Sequence, residues 1–205
     1  WDATNGLTNR AVELQNISGA NLVPTRCLQV LTSDVDRHLI VLGADPLNAT
    51  GTARTGAIDP LLIAFSDQEN LLEFEAKATN TAGSIRISSG SLIVGALKAR
   101  QETLIWTDVS MHSLQFIGAP FTFGVNLISE SVGLIGPKAA INADNGAYWM
   151  AADGFYFYNG SVQRLPCSVL NHVYDDMNLN EVYKNFAFTN REFNEVGWFY
   201  CSSSS

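Results

Sequence analysis

Ala147-Tyr148-Trp149-Met150-Ala151-Ala152-Asp153-Gly154-Phe155-Tyr156-Phe157-Tyr158-Asn159-Gly160-Ser161-Val162-Gln163-Arg164-Leu165 alternates aromatic and apolar runs with turn-forming dipeptides. Its aromatic and apolar runs have the length of strands and are punctuated by Asp153-Gly154 and Asn159-Gly160, with Asn145-Gly146 just before the first run. Asn-Gly and Asp-Gly supply the positive φ angles of tight type I′ turns. The segment therefore predicts an up-and-down antiparallel meander.

The same theme recurs towards the N-terminus. Ser91–Leu97, Thr103–Thr107 and His112–Ile117 read as strands, with Asp108-Val109-Ser110 as a turn. Arg37–Gly43 pairs with Leu61–Ser66 across the loop 44–60, whose Gly, Thr, Asn and Ala content predicts an exposed, flexible connection. Ile63-Ala64-Phe65-Ser66-Asp67 aligns with Leu104-Ile105-Trp106-Thr107-Asp108, and Leu72-Glu73-Phe74 with Leu114-Gln115-Phe116, as turn-linked strands.

Four aromatic anchors, Phe65, Trp106, Trp149 and Trp198, follow one another at 41, 43 and 49 residues. A period of that size with several short strands per unit is that of a propeller, whose blades stack because none buries both faces alone. The fold class predicted is all-β: a β-propeller-like stack of antiparallel meander blades, a partial propeller, forming one domain over 1–205. An irregular β-sandwich shares the strand-and-turn pattern and stays open as the alternative. One segment departs from the β pattern. Val169, Leu170, Val173, Tyr174 and Met177 have helical spacing, so a short helical insertion is expected over 166–184, opened by Pro166 and frayed at Asp175 and Asp176.

The chain of 205 residues is 46% hydrophobic and 16% charged, which suits a packed globular core. No apolar run approaches the roughly 18 residues of a spanning helix, so no membrane segment is predicted. Trp1-Asp2-Ala3-Thr4-Asn5-Gly6 lacks the pattern of a signal peptide. The absence of an initial Met, and the end at Cys201-Ser202-Ser203-Ser204-Ser205 directly after a strand-like run, read as a piece of a longer polypeptide. Net charge is −8 without any Lys/Arg cluster, which argues against tight or sequence-specific phosphate binding.

Candidate chemistry is sparse. Cys27, Cys167 and Cys201 are odd in number and widely spaced, so buried free thiols are expected in place of a disulfide framework. His38, His112 and His172 fall in dissimilar settings without a zinc motif. Asp34 and Asp36 lack the other oxygen ligands of a calcium loop, and Asn142–Gly146 reads as turn chemistry. Asp67 and Asp108 could serve as a glycosidase pair, but their matching places after strands predict turn caps, a role extended to Asp153. No nucleophile elbow, Walker loop or dinucleotide fingerprint is present. Neither catalytic residues nor cofactor or metal sites are predicted, and the chain is read as non-enzymatic. Tyr148, Trp149, Phe155, Tyr156, Phe157 and Tyr158 form either blade packing or, if Tyr148, Tyr156 and Tyr158 are exposed, a glycan-stacking surface.

Several motifs carry a resemblance: Asp59-Pro60-Leu61-Leu62-Ile63 with Phe65–Asn70, Ser88-Ser89-Gly90-Ser91 into Leu92–Gly95, Thr103–Asp108, Met111–Gly118, Pro120–Gly124, Tyr148-Trp149-Met150 and Asp153–Tyr156. Together they resemble virion structural proteins of short-tailed bacteriophages, of the tail nozzle, tail tube or packaged-DNA-stabilising kind. The resemblance spans roughly residues 28 to 202. It implies a propeller-bearing subunit of the virion tail, made in the host cytoplasm and repeated as a ring of about six copies. Its partners would be copies of itself, an adaptor or fibres, and packaged DNA passing through the channel without sequence-specific binding. Retaining and then releasing the genome would be its function. A mildly acidic channel wall would keep the DNA backbone from sticking. The alternatives are a receptor- or glycan-binding propeller at the tail tip and, third, a polysaccharide depolymerase.

Overall fold

The computed structural model describes residues 11–33, 36–118 and 120–204. The strands coincide for the most part with apolar or aromatic runs bounded by Gly, Asn, Asp or Ser. They are β1 (Gln29–Thr32), β2 (Leu39–Leu42), β3 (Leu62–Phe65), β4 (Gly83–Arg86), β5 (Ile93–Lys98), β6 (Thr103–Thr107), β7 (Met111–Gly118), β8 (Thr122–Ser129), β9 (Ala140–Ala143), β10 (Gly146–Met150), β11 (Phe155–Tyr158), β12 (Val162–Arg164), β13 (Phe186–Asn190) and β14 (Glu195–Phe199). The fold is all-β. Among the described residues β1–β4, β5–β8 and β9–β12 each form an open four-stranded sheet in chain order, and β13–β14 form a hairpin. A sandwich exchanges strands between its sheets; here every sheet is built from consecutive strands, as blades are.

The chain gathers into two compact units. The first runs to Arg86 and takes in the short stretch 119–122, and the second comprises 87–118 and 123–205. In the first, Val41, Leu62, Ala64, Phe74 and Val23 form a core, while Ile40, Leu42, Ile63 and Phe65 are buried on the opposite faces of the same strands. Continuous burial explains why β2 and β3 read as unbroken apolar runs, whereas the edge strands β1 and β4 alternate between half-buried and exposed.

In the second unit β6 is likewise buried along its whole length. Trp106 on β6 and Trp149 on β10 are fully buried, with ring centroids 5.4 Å apart, and Trp149 stacks on Tyr156 at 5.6 Å. The meanders β5–β8 and β9–β12 are thus stacked through a shared aromatic layer, the blade-on-blade contact that the anchor spacing predicts. Truncating either indole to Ala should cost about 3–5 kcal/mol. The anchors do not occupy one repeat position. Trp106, Trp149 and Trp198 sit on the second strand of their sheets, but Phe65 sits on the third. The partner strand expected at Leu72–Phe74 does not form; Glu73 makes only an isolated bridge to Asn21.

The turns in the predicted meander differ from expectation in type. Asn145, Asp153 and Asn159 keep negative φ, so the three dipeptides do not form type I′ turns. The first hairpin turns at Asp144-Asn145, because Ala143 pairs with Gly146. Gly146 takes φ +152° there, and a Cβ would lie 2.3 Å from the Tyr158 carbonyl oxygen. The loop 44–60 is not uniformly exposed: Ala44 and Asp45 are fully buried, and Arg54 donates to the carbonyls of Leu22 and Asp45.

The helical insertion is present but short. Helix α1 spans Leu170–Asp176, and a kinked 3-10 segment spans Leu179–Lys184. Pro166 precedes the helix by four residues and is not in its first turn. Leu170, Val173 and Tyr174 pack on the core around Trp149, and the Tyr174 hydroxyl donates to the carbonyls of Ala151 (2.6 Å) and Gly154 (3.1 Å). Those two bonds pin the helix to the β10–β11 connection.

Candidate functional site

Three carboxylates share one construction. Asp67 follows β3 and its Oδ1 accepts from Thr81 N (2.9 Å) and Thr81 Oγ1 (2.7 Å). Asp108 follows β6 and accepts from Ser91 N (2.8 Å) and Ser91 Oγ (2.5 Å). Asp45 accepts from Thr25 N (2.9 Å) and Thr25 Oγ1 (2.6 Å), and also from the backbone N–H groups of Arg26 and Gly56. Each carboxylate therefore takes both donors of one Ser or Thr lying at least 14 residues away, and clamps the approach of a neighbouring segment. Burial pushes all three carboxyls up, but the hydrogen bonds outweigh it and hold them below the ordinary Asp range. Ionised and saturated carboxylates are poor proton donors, and Asp67 and Asp108 belong to different units.

Asp153 differs. Its carboxylate accepts from the Tyr156 hydroxyl (2.8 Å), and its backbone carbonyl accepts from Arg164. It braces the β10–β11 connection through the side chains of Tyr156 and Arg164, and among the described residues its carboxylate caps no backbone N–H. Asp45 escaped the sequence reading because its partners lie 11 to 20 residues away on both sides; Asp45-Pro46 marks only a turn.

Two buried histidines sit in hydroxyl networks. His38 Nε2 lies 3.0 Å from Thr81 Oγ1, whose own proton goes to Asp67. The imidazole must therefore donate through Nε2. A nucleophilic triad places the imidazole between hydroxyl and carboxylate; here the hydroxyl is central and its proton is held by a carboxylate. His112 Nε2 lies 2.9 Å from Ser110 Oγ, which lies 2.6 Å from Thr107 Oγ1, a chain that locks the β6–β7 turn. Burial pushes both imidazoles down, in His38 against the pull of the Asp36 carbonyl and the Asp36 and Asp67 charges. His172 is exposed on α1.

The three cysteines are free, but none is buried: Cys27 is exposed, and Cys167 and Cys201 are half-buried. Asp36 bonds to Ser33, while Asp34 lies outside the described residues. Among the described residues no group of three or more His, Cys, Asp or Glu side chains is placed to hold a metal ion, and no helix is long and apolar enough to cross a membrane.

Two surface features of the second unit remain. The first is a pair of clefts on either side of the Asp144-Asn145 turn. The larger, about 790 Å³, lies among the β5–β6, β9–β10 and β11–β12 turns; the smaller, about 250 Å³, lies towards the β13–β14 turn. Tyr158 lines the larger and Tyr148 the smaller, both half-buried, whereas Tyr156 is buried in the core. The second is the β13–β14 hairpin. The rings of Phe186 and Phe188 lie 5.1 Å from that of Phe199, and all three are exposed, as is Phe193 at the turn. The outer edge of β14 pairs with no strand among the described residues. Trp198, on the same strand, points into the core and donates its indole N–H to the Ala139 carbonyl (3.0 Å).

No protein-family model matches this chain, and no curated protein matches it.

Proposed function

We propose that this chain is a structural module of a short-tailed phage tail, a subunit of a nozzle or hub ring. Copies of it form part of the DNA channel, hold the packaged genome and let it pass on infection. The motif resemblance across residues 28 to 202 motivates the reading, and the consecutive meanders are the scaffold that it requires. The observation that carries it is the aromatic face of β13–β14. Phe186, Phe188 and Phe199 are 43%, 37% and 57% exposed and lie side by side next to an open strand edge. An exposed aromatic ladder at a free edge is unfavourable in water and is the anatomy of a contact with another chain. The occupant proposed is a second copy, since a ring presents the same two faces at every subunit. The net charge of −8 suits a wall that DNA slides past.

Mass photometry and negative-stain electron microscopy of the protein test this. Rings of about six copies are expected. Phe188→Ser with Phe199→Ser, at exposed positions, should leave circular dichroism unchanged and shift the population to monomer. A monomer at all concentrations in the unmodified protein, or rings that the double variant leaves intact, would overturn it.

A further inference from the structure

The paired clefts beside Asp144-Asn145 point to a ligand class. In the larger one, Lys98 and Arg100 are balanced by Glu102 and Asp144, which suits neither a phosphate trap nor a cation cage. The polar groups fall into two sets. One set is consumed in internal hydrogen bonds around two tyrosine rings. The Glu102 carboxylate, beside Tyr158 in the cleft, accepts from Ser113 and Gln115, and the Tyr148 hydroxyl is held by the Asn145 amide at 2.9 Å. The other set faces solvent. The side chains of Arg100, Gln101, Asp144 and Asn159 are exposed and make no hydrogen bond to any described residue.

We propose that the two clefts form a continuous binding site for a neutral oligosaccharide, with Tyr158 and Tyr148 as stacking platforms on either side of the Asp144-Asn145 ridge. Sugar rings offer apolar C–H faces and a periphery of hydroxyls. Half-buried tyrosine rings, one of them held through its hydroxyl, stack on the first with little further loss of rotamer freedom. Carboxamides and a carboxylate, offering donors and acceptors side by side, bind the second. The cleft volume of about 790 Å³ lies in the range of ligand sites, and its openness between turns admits an internal stretch of a chain. A peptide would need apolar pockets or an unpaired strand edge, and the turns lining the larger cleft offer neither. The site stands independently of the tail reading: its smaller cleft borders the β13–β14 turn, but its lining includes none of Phe186, Phe188 and Phe199.

Titration calorimetry and ligand-observed NMR with maltohexaose, cellohexaose and chitohexaose are the test. At least one should bind with a Kd of about 1 mM or tighter, and amide shifts should map to 98–102, 142–148 and 158–160. Gln101→Ala with Asp144→Ala, at exposed positions, should weaken it about tenfold at an unchanged thermal midpoint. Tyr158→Leu, which keeps an apolar side chain there, should weaken it at least as much with near-UV dichroism retained. Failure of all three sugars to bind at about 10 mM would overturn the proposal. So would binding that these variants leave unaltered, or preferential binding of inorganic phosphate.

Discussion

Asp67, Asp108, Asp45 and Asp153 all follow or open a turn, and all would pass for the same residue in a motif scan. Their atoms separate them. The first three each receive an N–H and an O–H from one Ser or Thr, whereas Asp153 receives a tyrosine hydroxyl. Burial then ranks the three. Asp45 is fully buried, so Asp45→Ala leaves four donors short of their acceptor and should cost about 3 kcal/mol. Asp67→Ala and Asp108→Ala, nearer to water, should each cost about 1–2 kcal/mol, and Asp153→Ala less than about 1 kcal/mol. Urea titrations of the four variants check the order. Asp153 ranking above Asp45 would show that the clamps do not stabilise the turns.

At the scale of elements, aromatic side chains decide which strands stack, and a few close approaches decide how the rest docks. Helix α1, seven residues long, is too short to hold its form alone. Its stability comes from Leu170, Val173 and the two hydrogen bonds of Tyr174. Tyr174→Phe should cost about 1–2 kcal/mol and, more tellingly, speed amide exchange in α1 while β9–β11 stay protected. The β9–β10 hairpin depends on Gly146 instead. Gly146→Ala puts a Cβ against the Tyr158 carbonyl at a positive φ, so a loss of about 2–4 kcal/mol is expected in thermal melts.

Over the whole molecule these groups set the response to acid. His38 and His112 have folded pKa values lowered by burial. Their contribution is complete above the unfolded value near about 6.5 and is lost as pH falls through the folded values. Asp45, Asp67 and Asp108 are also lowered, so their contribution is complete above about 4 and is lost at lower pH. Stability should therefore fall on acidification in two stages. Urea midpoints measured from neutral pH downward should show both. His112→Gln, which keeps a polar group near Ser110, should diminish the upper stage, and Asp67→Asn the lower. A midpoint unchanged between neutral pH and about pH 5 would show that the imidazoles titrate alike in the folded and unfolded states.

The amino-acid order by itself determined most of the strands and the short helix. Period-two and continuous apolar runs, bounded by Asn, Asp and Gly, placed β10, β11 and β12 and the pairing of β2 with β3, because strand formation is read from neighbours two residues apart; β9, read as turn chemistry at its end, was not among them. The order also placed Trp106 and Trp149 as anchors, since a large aromatic in a short strand has to be covered by something. Tertiary structure alone decided what did the covering. The stacking of the two indoles, the strand position of Phe65 and the Thr25–Asp45 clamp all join residues far apart in the chain. So does the gathering of three turns around the Asp144-Asn145 ridge. Such pairings leave no periodic trace, because they are set by which surfaces meet once the strands have formed, and the energies that choose among them appear only when water is excluded between those surfaces.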